Sequence, residues 1–163
     1  MTANDPTWDG VLTPYFKLEI DTYDLGVFTT CSGLGMEMSV EEYEEGGGGM
    51  YVYQLMGNFK YTPLQVSRPI GPWTANTMAW LNMMAQAGAQ GVQPTTARLS
   101  ALDNSGDIVF AWSLQGVIPS RWTGPSFDVN NLQQATETLE LVYTAILLDP
   151  SDTSGDLFND ALP

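Results

Sequence analysis

Val117-Ile-Pro-Ser-Arg-Trp-Thr-Gly-Pro-Ser-Phe-Asp-Val129, followed after a short polar gap by Ala135-Thr-Glu-Thr-Leu-Glu-Leu-Val-Tyr-Thr-Ala-Ile-Leu-Leu148, decides how the rest of this chain is read. The first half predicts a corner. Pro119 has no N–H for a strand ladder and is expected to end a strand, and Gly124-Pro125 redirects the backbone. Trp122 is large enough to pin that corner against a core. The second half alternates. Leu139, Leu141, Tyr143, Ala145 and Leu147 share one phase, and Thr138, Glu140, Val142, Thr144 and Ile146 the other. A period of two held for over a dozen residues predicts one long strand in a large sheet, since ordinary strands run about five or six residues.

The 163 residues are one domain by length, enough to bury a core. Hydrophobic residues at 44% and aromatic residues at 11% argue against disorder. Five basic against 19 acidic residues leave a net charge of −14. That balance excludes nucleic-acid binding by phosphate neutralisation and disfavours anionic membranes. The single cysteine, Cys31, has no internal disulfide partner and reads as a small buried hydrophobe. The N-terminal Met-Thr-Ala-Asn-Asp-Pro lacks the plan of a secretory signal, and no apolar run has membrane-spanning length, so a cytoplasmic protein without membrane insertion is expected. There is no histidine, which removes the commonest general base and metal ligand together.

Along the chain, residues 1–12 read as an acidic arm with Trp8 as an anchor. Tyr15–Ile20 alternates as a half-buried strand, Asp21–Gly26 is a turn, and Val27–Cys31 returns as the hairpin partner. Ser32-Gly-Leu-Gly35 breaks that strand. Glu41, Glu42, Tyr43, Glu44 and Glu45 run into four glycines, with Gly46 and Gly47 first, followed by Met50 and Tyr51. Extended segments on both sides make this a projecting hairpin over about 41–53, with a flexible tip. A phosphate loop would need a lysine and a helix after the glycines instead. Gly57-Asn58 signals a tight hairpin before Phe59–Val66, and Ser67–Pro72 reads as punctuation. A helix is expected over about 75–88, capped by Thr74 or Asn76, with Met78, Leu81, Met84 and Ala85 as its core stripe and Trp80 alongside. Thr95–Asp103 and Asp107–Val117 pair through Asn104-Ser-Gly106. Ile108, Phe110, Trp112 and Leu114 share one face, and Val109, Ala111, Ser113 and Gln115 form a mildly polar wall. Residues 149–163 form an acidic extension, in which Phe158 and Leu162 are candidate docking residues.

Chemistry finds little to hold. The carboxylate clusters at 41–45, 103/107 and 149–156 lack the alternate spacing and closing glutamate of a calcium loop, so no metal site is expected. Serine or cysteine nucleophiles have no histidine to activate them. No catalytic residue and no cofactor is expected.

Several motifs, in order, resemble the tail-tube proteins of contractile phages and related injection systems. They are Phe16-Lys-Leu-Glu-Ile-Asp21, Gly26-Val-Phe28, Cys31-Ser-Gly-Leu34, Glu42-Tyr-Glu-Glu-Gly-Gly47, the helix Trp80, Ala111-Trp-Ser-Leu114 through Arg121-Trp-Thr-Gly-Pro125, and Glu137-Thr-Leu-Glu-Leu141. The resemblance covers roughly residues 12–148. Val66-Ser-Arg-Pro69 stands where the family often has Lys-Arg-Gly, and the acidic extension has no counterpart. The resemblance implies a mainly β fold, a two-sheet sandwich or barrel with one flanking helix. Six copies would close a ring around a continuous inner β-barrel, and rings would stack into a tube within a sheath. Trp80, Trp112, Trp122, Gly124, Pro125, Leu139 and Leu141 would form the corner and core, and residues 41–51 the contact between subunits or rings. Implied partners are the chain itself, a sheath protein, baseplate or spike and tail-terminator proteins, and cargo or DNA passing without specific binding. A monomeric β-sandwich binding module and a baseplate tube initiator are the alternatives.

Overall fold

The computed structural model describes residues 15–44, 46–47, 51–88, 90–91, 93–131 and 133–148. The expectations for the arm 1–12 with Trp8, for Glu45 and Met50, and for the extension 149–163 lie outside the described residues. Among the described residues the fold is mainly β with one helix, as the sequence predicts. In order the elements are β1 (Tyr15–Ile20), β2 (Tyr23–Phe28), β3 (Thr30–Ser32), β4 (Gly35–Glu44), β5 (Val52–Thr62), β6 (Leu64–Pro69), α1 (Thr74–Gly88), β7 (Thr95–Leu102), β8 (Ile108–Thr123), β9 (Thr136–Val142) and β10 (Ala145–Leu148).

β8 organises the architecture because one 16-residue strand serves two layers. Its first half joins an antiparallel layer in the order β2-β1-β7-β8-β10, and its second half joins β8-β9-β6-β3. The layers close over one core of Leu18, Ile20, Leu25 and Phe28 from β1 and β2, Leu99 and Leu114 from β7 and β8, Leu64, Val66, Leu139 and Leu141 from β6 and β9, and Trp80 from the helix. The crease falls at Gly116, whose φ of +67° suits glycine alone. A Cβ there would meet Thr144 Oγ1 at 2.4 Å. Thr144 fastens the crease by donating its N–H and its hydroxyl to Gln115 O at 2.9 and 3.1 Å.

This crease corrects several expectations. The single long strand over 136–148 is two strands with the break at Tyr143-Thr144. Its buried phase runs through Glu137, Leu139, Leu141 and Tyr143 and then stops, leaving Leu147 51% exposed. Pro119 does not end its strand. It pairs with Leu141, and the missing N–H costs nothing because the other side of β8 has no strand beyond Val117 among the described residues. A register shift between Ala101 and Leu102 takes Ile108 out of phase with Phe110, so the expected common face is broken, and Ala111 on the expected wall is fully buried. Gly57-Asn58 is not a turn. β5 runs through it, with a bulge opposite Ser39 that leaves no room for a side chain at Gly57. The turn expected over Asp21–Gly26 is only Asp21-Thr22. The helix buries Thr77, Trp80 and Met84, a stripe rotated from the expected Met78, Leu81 and Ala85.

Residues 67–69 are strand rather than punctuation, and Arg68 is the reason. Its guanidinium is 4% exposed and bonds Glu137 Oε1 at 2.7 Å, Thr77 Oγ1 at 2.8 Å and the carbonyls of Leu25 and Val27, and it stacks 4.2 Å from the Phe28 ring. Glu137, 1% exposed, also accepts from Thr74 Oγ1 at 2.9 Å and Trp122 Nε1 at 3.2 Å. One buried ion pair therefore ties β2, β6, β9, the start of α1 and the Trp122 corner together.

Candidate assembly interface

The β4–β5 ribbon leaves the body. Its register runs from Gly35↔Thr62 at the base to Glu44↔Val52, so the hairpin is longer than the 41–53 the sequence indicates. Ten residues at about 3.3 Å each reach roughly 30 Å. The base is held by Tyr143, whose hydroxyl bonds Gly35 O at 3.3 Å and whose ring lies 5.6 Å from that of Tyr61. Burial pushes the Tyr143 hydroxyl pKa up, and the Gly35 hydrogen bond opposes it.

Both faces of the ribbon are bare. Met36, Val40, Tyr43, Tyr51, Tyr53, Leu55, Met56 and Phe59 are each more than half exposed. Glu41, Glu42, Gly46 and Gly47 are exposed as well. An isolated two-stranded ribbon is marginal in water, and a large exposed apolar patch marks a contact surface. The sequence pointed to the acidic tip but missed the apolar stem, whose signal lies in Met36, Met38, Val40, Met56 and Phe59 reading as an ordinary strand pair.

The strand edges differ between the layers. In the β1–β2 layer, β2 gives its Asp24 carbonyl to Asn76 Nδ2 at 2.9 Å and its Leu25 and Val27 carbonyls to Arg68, so side chains hold groups that a further strand would use. In the other layer, β3 pairs only with β6, and β8 beyond Val117 pairs only with β9, so both edges are unpaired among the described residues. Its outward face is hydroxyl- and amide-rich: Thr30, Ser32, Gln65, Ser67, Thr123 and Thr138, with Arg121 set against Glu140. Ser120 Oγ bonds Glu140 at 2.8 Å, and Thr30 pairs with Ser67 through their hydroxyls.

The residues named for the corner and core lie at different depths. Leu139, Leu141 and Trp80 are fully buried, while Trp122 and Trp112 pack at the core's margin. Trp112 tilts against Phe110 at 4.9 Å. A Cβ on Gly124 would lie 2.8 Å from the Trp122 ring, so the indole packs where glycine leaves room for it. Pro125 lines a cleft with Trp122, Ile70 and Met78.

Among the described residues no group of three or more cysteines and carboxylates could hold a metal, and no helix is long and apolar enough to cross a membrane.

No curated protein matches the chain in sequence. Among solved structures, it is similar to a chain in the sheath–tube complex of an extracellular contractile injection system (PVC) in its extended state. The TM-score is 0.72 and the identity 18%, over 88% of this chain and 93% of that one. A chain of the tube-terminating cap of the anti-feeding prophage gives 0.70 and 19%, over 91% and 94%. A chain of the anti-feeding prophage baseplate gives 0.59 and 20%, over 83% and 91%. The family model of the T4-like virus tail tube protein gp19 matches residues 12–146, and this chain belongs to that family of tail tube proteins.

Proposed function

We propose that this chain is a non-catalytic inner-tube subunit whose copies join edge to edge into hexameric rings, and that the rings stack into the channel of a contractile injection system or phage tail. The observation that carries the reading is the pair of unpaired edges on the β3-β6-β9-β8 layer. A layer with two open edges either aggregates or closes on itself, and repetition of one head-to-tail contact closes a ring. The hydroxyl-rich outward face then lines a watery lumen, since closed barrels of this kind are wet inside when wide. Cargo or DNA passes along it without a specific site. Residues 41–51 reach a neighbouring subunit or ring. The sheath, terminator and baseplate proteins are the partners, and the particle is assembled in the cytoplasm.

A charge of −14 on every copy opposes assembly, so apolar and main-chain contacts hold the ring while salt screens the repulsion. Negative-stain microscopy of the purified protein across a salt series tests this. Rings or hollow tubes are expected, increasing with ionic strength. Dispersed monomers under all conditions, also with the sheath protein present, would overturn the tube reading. Light scattering that falls as salt rises would overturn the electrostatic account alone.

A further inference from the structure

We infer that Phe127 is a lid on the cleft between Ile70, Met78, Trp122 and Pro125, and that in the dispersed subunit its ring closes into that cleft. The closure concerns the single chain and stands apart from the ring reading.

The cleft is built on the buried ion pair. Ile70, Gly71, Thr74, Met78, Trp122 and Pro125 surround about 520 Å³ of open space. Its polar side-chain atoms are committed elsewhere. Thr74 Oγ1 donates to Glu137 Oε1 at 2.9 Å and accepts the Gly71 N–H at 3.2 Å, and Trp122 Nε1 donates to Glu137 Oε2 at 3.2 Å. The walls that remain are the hydrocarbon of Ile70, Met78 and Pro125 and the indole of Trp122. Such a cleft accepts an apolar side chain and offers a polar ligand little to bond. The same network holds the walls in place, because Arg68 anchors Glu137 at 2.7 Å.

The chain supplies an occupant at the cleft's own rim. It leaves the rim at Pro125 and returns at Ala135, whose carbonyl accepts the Ile70 N–H at 3.0 Å. Between these anchors Phe127 is 77% exposed and Val129 95%. They flank Asp128, whose carboxylate accepts the Asn130 N–H at 2.9 Å and whose carbonyl accepts the Asn131 N–H at 3.2 Å. These bonds lie within the turn, so it can swing as a unit about the exposed Ser126. Phe127 is two residues from Pro125, at most about 7 Å along the backbone, which keeps its ring within reach of the cleft. Burying one such side chain biases a two-state equilibrium roughly 10- to 100-fold, and packing against the indole adds to that. The structure gives the open position; closure takes an exposed phenylalanine and an open apolar cleft out of water together.

Thiol protection in the dispersed protein at low salt tests it. Met78→Cys places a reporter in the cleft wall, and its alkylation by iodoacetamide is followed site by site by mass spectrometry. The reporter is combined with the native Phe127, with Phe127→Leu and with Phe127→Ser. The serine variant is expected to react about tenfold faster than the other two, since leucine still fills the cleft and serine does not. Cys31, on β3, is read in the same chains and should keep one rate throughout. Equal rates at the reporter in all three proteins would overturn the lid, as would a leucine variant as fast as the serine one. An equal rise at Cys31 would also overturn it, because the protection would then belong to the whole fold.

Discussion

Replacing Arg68 with methionine should remove a large part of the stability of this fold while leaving its exposed surfaces untouched. The guanidinium is the donor for Glu137 Oε1, Thr77 Oγ1 and two β2 carbonyls, at 4% exposure. Methionine fills much of the volume but leaves Glu137 buried and without its cation. Breaking a buried pair from one side costs about 3–5 kcal/mol. Glu137 keeps its bonds from Thr74 and Trp122, which places the expected loss at the lower end, about 3 kcal/mol. Domains of this size are stable by about 5–15 kcal/mol and lose roughly 2–4 °C per kcal/mol, so the melting temperature should fall by about 6–12 °C. The assays are urea denaturation for the free energy and thermal unfolding for the melting temperature, both followed by tryptophan fluorescence at low salt and at a concentration where the chain is monomeric. The companion is Arg68→Met with Glu137→Met, which removes both charges. It should be more stable than Arg68→Met alone, because the uncompensated carboxylate has gone. A loss below about 1 kcal/mol for Arg68→Met, or a double variant whose losses simply add, would refute the view that this ion pair is what joins the helix to both layers.

Two further perturbations follow from the geometry. Gly116→Ala places a Cβ 2.4 Å from Thr144 Oγ1 at a φ of +67°, so it should cost about 1–3 kcal/mol in the same denaturation assay; an unchanged midpoint would show that the crease tolerates a side chain. Burial pushes the Cys31 thiol pKa up to about 11, so its folded-state value lies above the unfolded one. Its contribution to stability is therefore fully present below the unfolded pKa and is lost as pH rises through about 11. Alkylation of Cys31 by iodoacetamide should accordingly keep rising about tenfold per pH unit from pH 7 to 10, and a plateau near pH 9 would contradict the burial.

Local chemistry made much of the fold legible. The β1 alternation, the Asn104-Ser-Gly106 turn and the break at Ser32–Gly35 depend on side-chain phase and backbone freedom within a few residues. Each appears where the sequence predicts it. In the Trp122-Thr-Gly-Pro125 stretch the structure sets the indole against Gly124, a contact between near neighbours. Failures gathered where distant strands decide. Pro119 ends a strand only if a neighbour needs its N–H, and on the side away from β9 no strand pairs there among the described residues. Gly57-Asn58 reads as a turn until an opposing strand absorbs it as a bulge. Alternation over 136–148 hides a crease, because Thr144 is an ordinary strand residue until Gly116 lies opposite.

The candidate interface divides the same way. Its acidic, glycine-rich tip is a matter of composition and was visible in the chain. The bare apolar stem was not, since a Met-Val-Phe alternation is the same whether a core lies beneath it or water does. Arg68 and Glu137 show the limit most clearly. Two charged residues 69 positions apart in the chain carry no sign of each other until β6 and β9 pair and place them 2.7 Å apart. By itself the sequence determined the element types, the local turns, the charge and the family motifs, because these depend on neighbours along the chain. Only the tertiary structure decided which edges stay open, which apolar face lacks a core and which charges are buried, because burial and pairing are properties of residues that meet across the fold.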